Sequence, residues 1–533
     1  MNEENKKDIE NEFDAIVVCS TLNQMVNYLT IKEHEHLFKN EKNIIIIGGK
    51  IEKIENYDPN FKNNFTYNNK FNYFEWNNNL KTVLNTDKSY NIREIEFNNN
   101  KIKNHKSIIS KLKKSIKKEK KILWNITGGQ RHFVMAITQY VLNERDDDVI
   151  IYFDGDTEKY YYYYGKNTNK VSNKNIKLDK NNEVMNIEIA LKLMGFDSSK
   201  DDRYKVDESY KFLKNIESID GNYEIKLKNE DENKHRKLKE EFQEKLNEFQ
   251  VYNKMYHKFY DLKEKLDEFQ ELLIKSNGYK NEYNLYKELY ANEKENEKEN
   301  EKEIKKIKEI LNNFLDSDPS KLDKNIKKTL RNLNNNKKLN VNAESILRKY
   351  ANKKSLDGNI FDQIIGKMES KNILNLTENE KNILEKSLGG HKRGKVFGYI
   401  LENMTFYRMI DIISREFQNE IADIRFDHSS YVNKENIDQF DILLLTKKGK
   451  LINFECKSGG MVGDNAKSNN YSTYAISGVY GTPVLIHPVF DLKKRQKDIY
   501  KNIKSAYNSA KKANLDTCSI EGIKCYLEKI LKK

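Results

Sequence analysis

The chain has 533 residues, with 95 Lys and Arg against 82 Asp and Glu, a formal net charge of +13. Its hydrophobic share of 37% against 33% charged residues falls below the ~45–50% of ordinary globular domains and excludes a uniform globule. No run approaches the ~18 apolar residues of a membrane span, and Met1 to Glu12 lacks the apolar centre of a secretory signal, so a cytoplasmic protein of roughly two to four domains without a membrane partner is expected.

The N-terminal part alternates strand and helix. Asp14 to Cys19 reads as a buried strand, Ser20-Thr21 as a helix cap, and the segment to about Phe38 as an amphipathic helix. Asn43 to Ile47 reads as a second strand ended by Gly48-Gly49. After a polar, weakly periodic stretch, Lys101 to Lys121 reads as a basic helix with Ile108, Leu112 and Ile116 on one face. Its lysines are either a solvated face or an electrostatic track for nucleic acid. Then come a strand at Ile122 to Ile126, a helix at Gln130 to Leu142, a strand at Asp148 to Phe153, and the aromatic run Tyr160 to Tyr164 as a strand beside them. That order predicts a mainly parallel sheet covered by helices.

Between strand and helix lies Thr127-Gly128-Gly129-Gln130-Arg131. Glycines at a helix start leave backbone N–H groups and the positive helix end open to an anion, and Thr127, Gln130 and Arg131 add donors. The first strand ends similarly in Ser20, Thr21, Asn23 and Gln24, at the same C-terminal sheet edge where open α/β folds bind ligands. Neither a P-loop nor a G-x-G-x-x-G turn is present.

From about Ser198 to Lys354 the chain is rich in Lys, Glu and Asn, with an Asn-Glu-Lys-Glu repeat from Asn292 to Glu303. Phe242, Leu246 and Phe249 offer a narrow apolar stripe, which predicts an elongated helical or coiled-coil-like insertion. A solvated spacer, a dimer contact and a nucleic-acid surface are its alternative roles. Globular texture returns with a helix around Gly394 to Phe417 and strands at Phe440 to Leu445, Leu451 to Lys457 and Pro483 to Ile486. The four cysteines, Cys19, Cys456, Cys518 and Cys525, contain no C-x-x-C pair and are expected to be buried, reduced thiols.

Two of these strands flank Lys447-Lys448-Gly449, a loop suited to a type I turn followed by a left-handed glycine. That turn sets Thr446 opposite Lys450 and, counting outward, Asp441 opposite Glu455. Lys457 shares their face, while Ile452, Phe454 and Cys456 point away. Two carboxylates and an ammonium on one apolar hairpin are costly unless paired or bound to a cation. Carboxylates suit Mg2+ or Mn2+, so Asp441 and Glu455 as metal ligands with Lys457 beside the phosphorus would make a metal-dependent nuclease.

This Asp441 … Glu455-x-Lys457 pattern resembles the PD-(D/E)xK, or restriction-endonuclease-like, family, although Gln439-Phe440 replaces the proline of the nominal motif. The resemblance implies Glu402 as a further catalytic acid on the preceding helix, and Ser458-Gly459-Gly460 with Gly481 to Ile486 as the remaining core. Thr127-Gly128-Gly129 resembles the Thr-Gly-Gly motif of CARF domains, sensors of cyclic oligoadenylates, with Gln130-Arg131 in place of the usual Thr-Lys. Together the two ends resemble CARF-fused nuclease effectors of type III CRISPR antiviral defence.

The family implies an α/β protein with a Rossmann-like CARF sensor at 1–195 and a restriction-endonuclease-like α/β domain at 356–533, separated here by a charged helical insertion at 196–355. It further implies a homodimer, allosteric activation by a cyclic oligoadenylate (cyclic tetra-adenylate favoured), Mg2+ or Mn2+, and DNA (single-stranded or supercoiled) or RNA as substrate. The other common effector for such sensors carries Arg followed four to six residues later by His, and no arginine here satisfies that spacing. The alternatives are a restriction or repair nuclease with a different nucleotide-binding domain, and a non-enzymatic helical scaffold.

Overall fold

A continuous apolar run bounded by polar residues makes a strand buried on both faces, and Ala15–Cys19 (β1) is buried along its whole length in the interior of a seven-stranded sheet. The computed structural model describes residues 13–21, 23–38, 41–50, 73–86, 89–98, 104–154, 159–165, 171–175, 185–198, 208–219, 222–226, 232–261, 375–389, 396–432, 435–458, 461, 463–488 and 501–531. Beside β1 lie β2 (Lys42–Lys50), β3 (Tyr90–Asn98), β4 (Ile122–Asn125) and β5 (Val149–Asp154), all parallel, in the order β3-β2-β1-β4-β5. Two antiparallel strands, β6 (Lys159–Tyr164) and β7 (Val171–Asn175), extend the sheet past β5.

Helices cover both faces: α1 (Met25–His34), α2 (Tyr73–Leu84), α3 (His105–Ser115) and α4 (Arg131–Glu144). Alternate residues of the strands divide between them. Ile16, Val18, Ile44 and Ile46 pack on the side of α1 and α2, while Ala15, Val17, Ile45 and Ile47 pack with Ile108, Leu112 and Ile116 of the α3 segment and Phe133 and Ile137 of α4. From β1 the chain moves outward through β2 to β3 and then crosses back to β4 on the other side of β1, so the strand order reverses between β1 and β4 and the turns leaving those strands meet there.

The second body begins with α5 (Ile187–Leu193) and β8 (Asp197–Ser198), followed by α6 (Ser209–Asn215), the hairpin β9 (Ile216–Ile219) and β10 (Asn222–Ile225), and α7 (Glu232–Asp261). After α8 (Glu378–Gly389) comes α9 (Val396–Ile412), which continues into a π-helical turn at Ile413–Phe417. The sheet is β11 (Ile421–Val432), β12 (Glu435–Thr446), β13 (Leu451–Cys456), β14 (Gly481–His487) and β15 (Asp516–Ser519), with β8 on its β11 edge. The helices α10 (Gly463–Ser477), α11 (Lys501–Lys512) and α12 (Ile523–Leu531) connect and cover it. Strands β11 to β13 are antiparallel, whereas β13, β14 and β15 run parallel. The chain is thus a mixed α/β protein.

Several local expectations need correction. The first helix begins at Met25, and Ser20-Thr21 do not cap it; Asn23 Oδ1 instead accepts the Met25 N–H at 3.1 Å. Nor is that helix amphipathic, since Met25 to Ile31 and His34 are buried around it. One side faces its own sheet and the other the β12–β13 hairpin, whose Phe440, Leu443, Leu445 and Leu451 share a core with Met25 and Leu29. Gly48-Gly49 do not end β2, which runs on to Lys50. The polar stretch after it holds α2 and β3, and the basic helix is shorter than its run of lysines.

The stripe Phe242, Leu246 and Phe249 lies on a helix, as periodicity predicts, but it is buried with Tyr407 and Met404 of α9 rather than solvated. The Asn292 to Glu303 repeat, Gly394, Gly459 and Gly460 lie outside the described residues. Cys19, Cys456 and Cys518 are buried free thiols, whereas Cys525 is exposed. No helix among the described residues is long and apolar enough to cross a membrane.

Candidate functional site

Turn chemistry aligns the hairpin that carries the polar cluster. Gly449 adopts φ 81°, the Gly449 N–H bonds the Thr446 carbonyl at 3.0 Å, and the Thr446 N–H bonds that of Lys450 at 3.0 Å. Leu445 then faces Leu451, and the ladder continues to Ile442 and Phe454. One step farther Asp441 and Glu455 come level, and there the Asp441 Oδ2 takes the Cys456 N–H at 2.7 Å.

Four charged groups interact at this end of the hairpin. Burial pushes the Asp441 carboxyl well above its usual range, and the neighbouring Glu455 and Glu402 carboxylates push it further, against relief from Lys457 and the Cys456 N–H. Burial works against the Lys457 ammonium, but Glu455 and Asp441 outweigh it and hold the proton more tightly than usual. Lys457 Nζ is ion-paired with Glu455 Oε1, and Asn469 Nδ2 of α10 donates to Glu455 Oε2 at 3.1 Å. Asp438 is also raised by burial and feels Glu455 and Lys457. The Tyr399 hydroxyl, one helical turn before Glu402, is raised by burial, then by Glu402, Asp427 and Asp441.

Glu402, Asp441, Glu455 and Lys457 are therefore brought together by α9 and the two hairpin strands. The carboxylates are hard oxygen donors suited to a divalent cation, which would relieve the repulsion at Asp441. Among the described residues, no group of three His, Cys, Asp or Glu side chains is arranged to hold a metal ion. Asp441 and Glu455 would hold one only with water or substrate oxygens completing its shell. The sequence reading misses both Asn469, which reaches Glu455 from α10, and Asp438, which lies on β12 three residues before Asp441 and so off the face that strict alternation assigns to the cluster.

The second cluster sits where the turns after β1 and β4 meet, at the reversal of strand order where such sheets bind ligands. Gly128 lies against Thr21: a Cβ on it would fall 2.7 Å from Thr21 Cγ2. Gly129 has φ 98°, and a Cβ there would fall 2.4 Å from the Cβ of Cys19. Thr127 Oγ1 accepts the Phe153 N–H at 2.8 Å, and the Thr127 N–H goes to Asn125 Oδ1 at 3.0 Å. Gln130 is an extended N-cap residue making no side-chain cap bond, and Arg131 is exposed at the first position of α4.

Behind these turns runs a chain of amides, of which the sequence singles out only Gln24. Asn125 Nδ2 donates to Asn27 Oδ1 at 3.0 Å, and Asn27 Nδ2 donates to both Gln24 Oε1 and the Cys19 carbonyl at 2.9 Å. Ser20 Oγ, Gln24 Nε2 and Gln130 Oε1 are buried without a partner, donors and an acceptor whose desolvation a polar ligand would offset. Asn23 turns elsewhere, its Nδ2 reaching the Ser477 carbonyl at the end of α10 at 3.4 Å. The geometry thus gathers Ser20, Thr21, Gln24 and Thr127 to Arg131 at one sheet edge, with Asn23 directed to the neighbouring body.

No known family profile matches the chain, and no curated protein matches it. Among solved structures, protein VC1899 from Vibrio cholerae aligns over 97% of this chain and 98% of its own, with 11% identity and a TM-score of 0.47. A type III CRISPR defence DNA nuclease activated by cyclic oligoadenylate aligns over 90% of this chain with 8% identity and a TM-score of 0.36. This chain spans only 45% of that nuclease's length. Likenesses at these scores carry no argument about activity.

Proposed function

We propose that the chain is a cyclic-oligoadenylate-activated, metal-dependent endonuclease of type III CRISPR antiviral defence, cutting DNA (single-stranded or supercoiled) or RNA as a homodimer. The supporting observation is the convergence of Glu402, Asp441, Glu455 and Lys457 at the end of one hairpin. An Mg2+ or Mn2+ ion held by Asp441 and Glu455 would supply Lewis acidity at the phosphate and acidify a water. Lys457, ion-paired with Glu455, is the cation that would neutralise charge developing on the phosphoryl oxygens. Glu402 accepts a hydrogen bond from the attacking water and orients it. The Asn469 amide holds Glu455 from the side opposite Lys457.

The β1 and β4 turns supply the regulatory half. Backbone N–H groups at the start of α4, Thr127 and Arg131 suit the phosphates of a cyclic oligoadenylate, and the buried Gln24, Ser20 and Gln130 atoms suit its base or ribose edges. Arg131→Ala is expected to raise the cyclic tetra-adenylate concentration giving half-maximal cleavage about tenfold or more, the loss of a charge-assisted bond. Titration of plasmid cleavage against activator checks this, and an unchanged half-maximal concentration removes Arg131 from the site. A restriction or repair nuclease with another regulator would cleave equally with and without the cyclic nucleotide.

A further inference from the structure

The two clusters are joined through one helix. Asn469 lies near the middle of α10, and its Nδ2 holds Glu455 Oε2 at 3.1 Å. One turn later Thr473 Oγ1 donates to the Asn469 carbonyl at 2.8 Å and accepts from Asn453 Nδ2 of β13 at 3.0 Å. Another turn on, Ser477 Oγ donates to the Thr473 carbonyl at 2.5 Å. Thr473 and Ser477 are wholly buried, so the C-terminal half of α10 is held against the sheet bearing Glu455.

The far end of α10 meets both turns of the ligand cleft. Asn23, two residues after Thr21, reaches the Ser477 carbonyl and lies against Gly478, where a Cβ would stand 3.5 Å from that of Asn23. Phe153, whose N–H is held by Thr127 Oγ1, stacks on Tyr480 with centroids 6.4 Å apart and planes inclined by 29°. Ile476 belongs to the core shared with α1 and β1. A ligand that draws the two turns together acts on both contacts, and both converge on residues 477–480.

We propose that α10 is the strut transmitting occupancy of the cleft to the carboxylate cluster, with Asn469 as a positioning residue for Glu455 and Tyr480 as the contact that loads the helix. This rests on the proposed activity. Thermodynamically, ligand binding stabilises the arrangement in which α10 sets the Asn469–Glu455 bond for catalysis. Coupling then requires only that the two ends of α10 favour the same one of two arrangements.

The test uses the full chain with Mn2+, cyclic tetra-adenylate and cyclic hexa-adenylate, reading cleavage of labelled single-stranded DNA, RNA and supercoiled plasmid. Asn469→Leu is expected to lower kcat by about 10–100-fold with KM for nucleic acid unchanged, and Asn469→Gln, which keeps the donor, to restore part of it. Tyr480→Leu keeps an apolar side chain but removes the ring and its stacking on Phe153. It is expected to bind cyclic nucleotide with wild-type affinity by calorimetry while its stimulation by that ligand falls about fivefold or more, a coupling loss of ordinary size.

Wild-type kcat in Asn469→Leu overturns the positioning role, and full stimulation of Tyr480→Leu overturns the strut. Should Asn469→Leu fail to fold, Tyr480→Leu decides. A wild-type protein that cuts nothing under any of these conditions overturns the nuclease proposal itself, and the strut with it. That outcome differs from an active wild type with unaffected variants.

Discussion

Asp441→Asn is expected to abolish cleavage and, in chelator at neutral pH, to raise the thermal midpoint. The carboxyl at this position is desolvated and faces Glu455 and Glu402, with one ammonium in compensation. Removing its charge takes away like-charge repulsion, while an amide oxygen can still accept the Cys456 N–H. A gain of about 1 kcal/mol, within the range of stabilising substitutions that relieve a strained active site at the cost of function, moves the midpoint of a domain this large by roughly 2–4 °C. The loss of activity is about 10²-fold or more, as for removal of a principal charge-stabilising group.

This opposition of activity and stability is what separates a catalytic cluster from a structural one. In a scaffold the four groups would be mutually stabilising, and the same substitution would lower the midpoint and leave any binding function intact. Circular dichroism melts in EDTA, run beside plasmid cleavage in Mn2+, provide both readings. A lowered midpoint with retained cleavage removes Asp441 from the catalytic set.

Gly129→Ala is expected to carry a large cost to the N-terminal body. Gly129 holds φ 98°, and the added carbon would fall 2.4 Å from the Cβ of Cys19, on a wholly buried strand. The positive φ costs about 1–2 kcal/mol for a residue with a side chain, and forcing a methyl into filled space costs a further ~1–3 kcal/mol. A fall in midpoint of several degrees follows, with loss of activator binding because the turn opens. Gly128→Ala provides the comparison: no positive φ is required there, so only the contacts with Thr21 Cγ2 and Cβ, at 2.7 and 2.8 Å, oppose the added methyl. Equal melting of both variants with wild type would mean that the turn is not built as described.

The hairpin was legible because its alignment is local. Lys447-Lys448-Gly449 fixes the turn, the turn fixes the pairing of Leu445 with Leu451, and alternation then carries Asp441, Glu455 and Lys457 to one face. The parallel strands were legible for a similar reason, since Ile44–Ile47 and Ile122–Trp124 are continuous apolar runs buried on both sides. By contrast, α2 carries its apolar residues Trp76, Leu80, Val83 and Leu84 at helical spacing, but three consecutive asparagines between Trp76 and Leu80 obscure them. In β3, Ile95 and Phe97 alternate with glutamates in the same way.

What lay beyond local pattern was set by contacts distant in sequence. Gly48 looked like a strand end, yet it sits within β2 where a Cβ would approach Asn77 Nδ2 of α2 to 3.1 Å, so it permits a helix to lie close. The burial of α1 on both sides depends on a hairpin more than 400 residues away. Asn27, Asn125 and Asn469 are three amides without distinguishing neighbours in a chain rich in asparagine. Only the fold distinguishes them, by aiming their side chains at Gln24, Thr127 and Glu455.

The most direct measurement is cleavage of labelled single-stranded DNA, RNA and supercoiled plasmid by the full chain, with Mg2+ or Mn2+, in the presence and absence of cyclic tetra- and hexa-adenylate. Cleavage that requires both metal and one of the cyclic nucleotides is the predicted result. Cleavage that proceeds equally without cyclic nucleotide, or none under any condition, contradicts it.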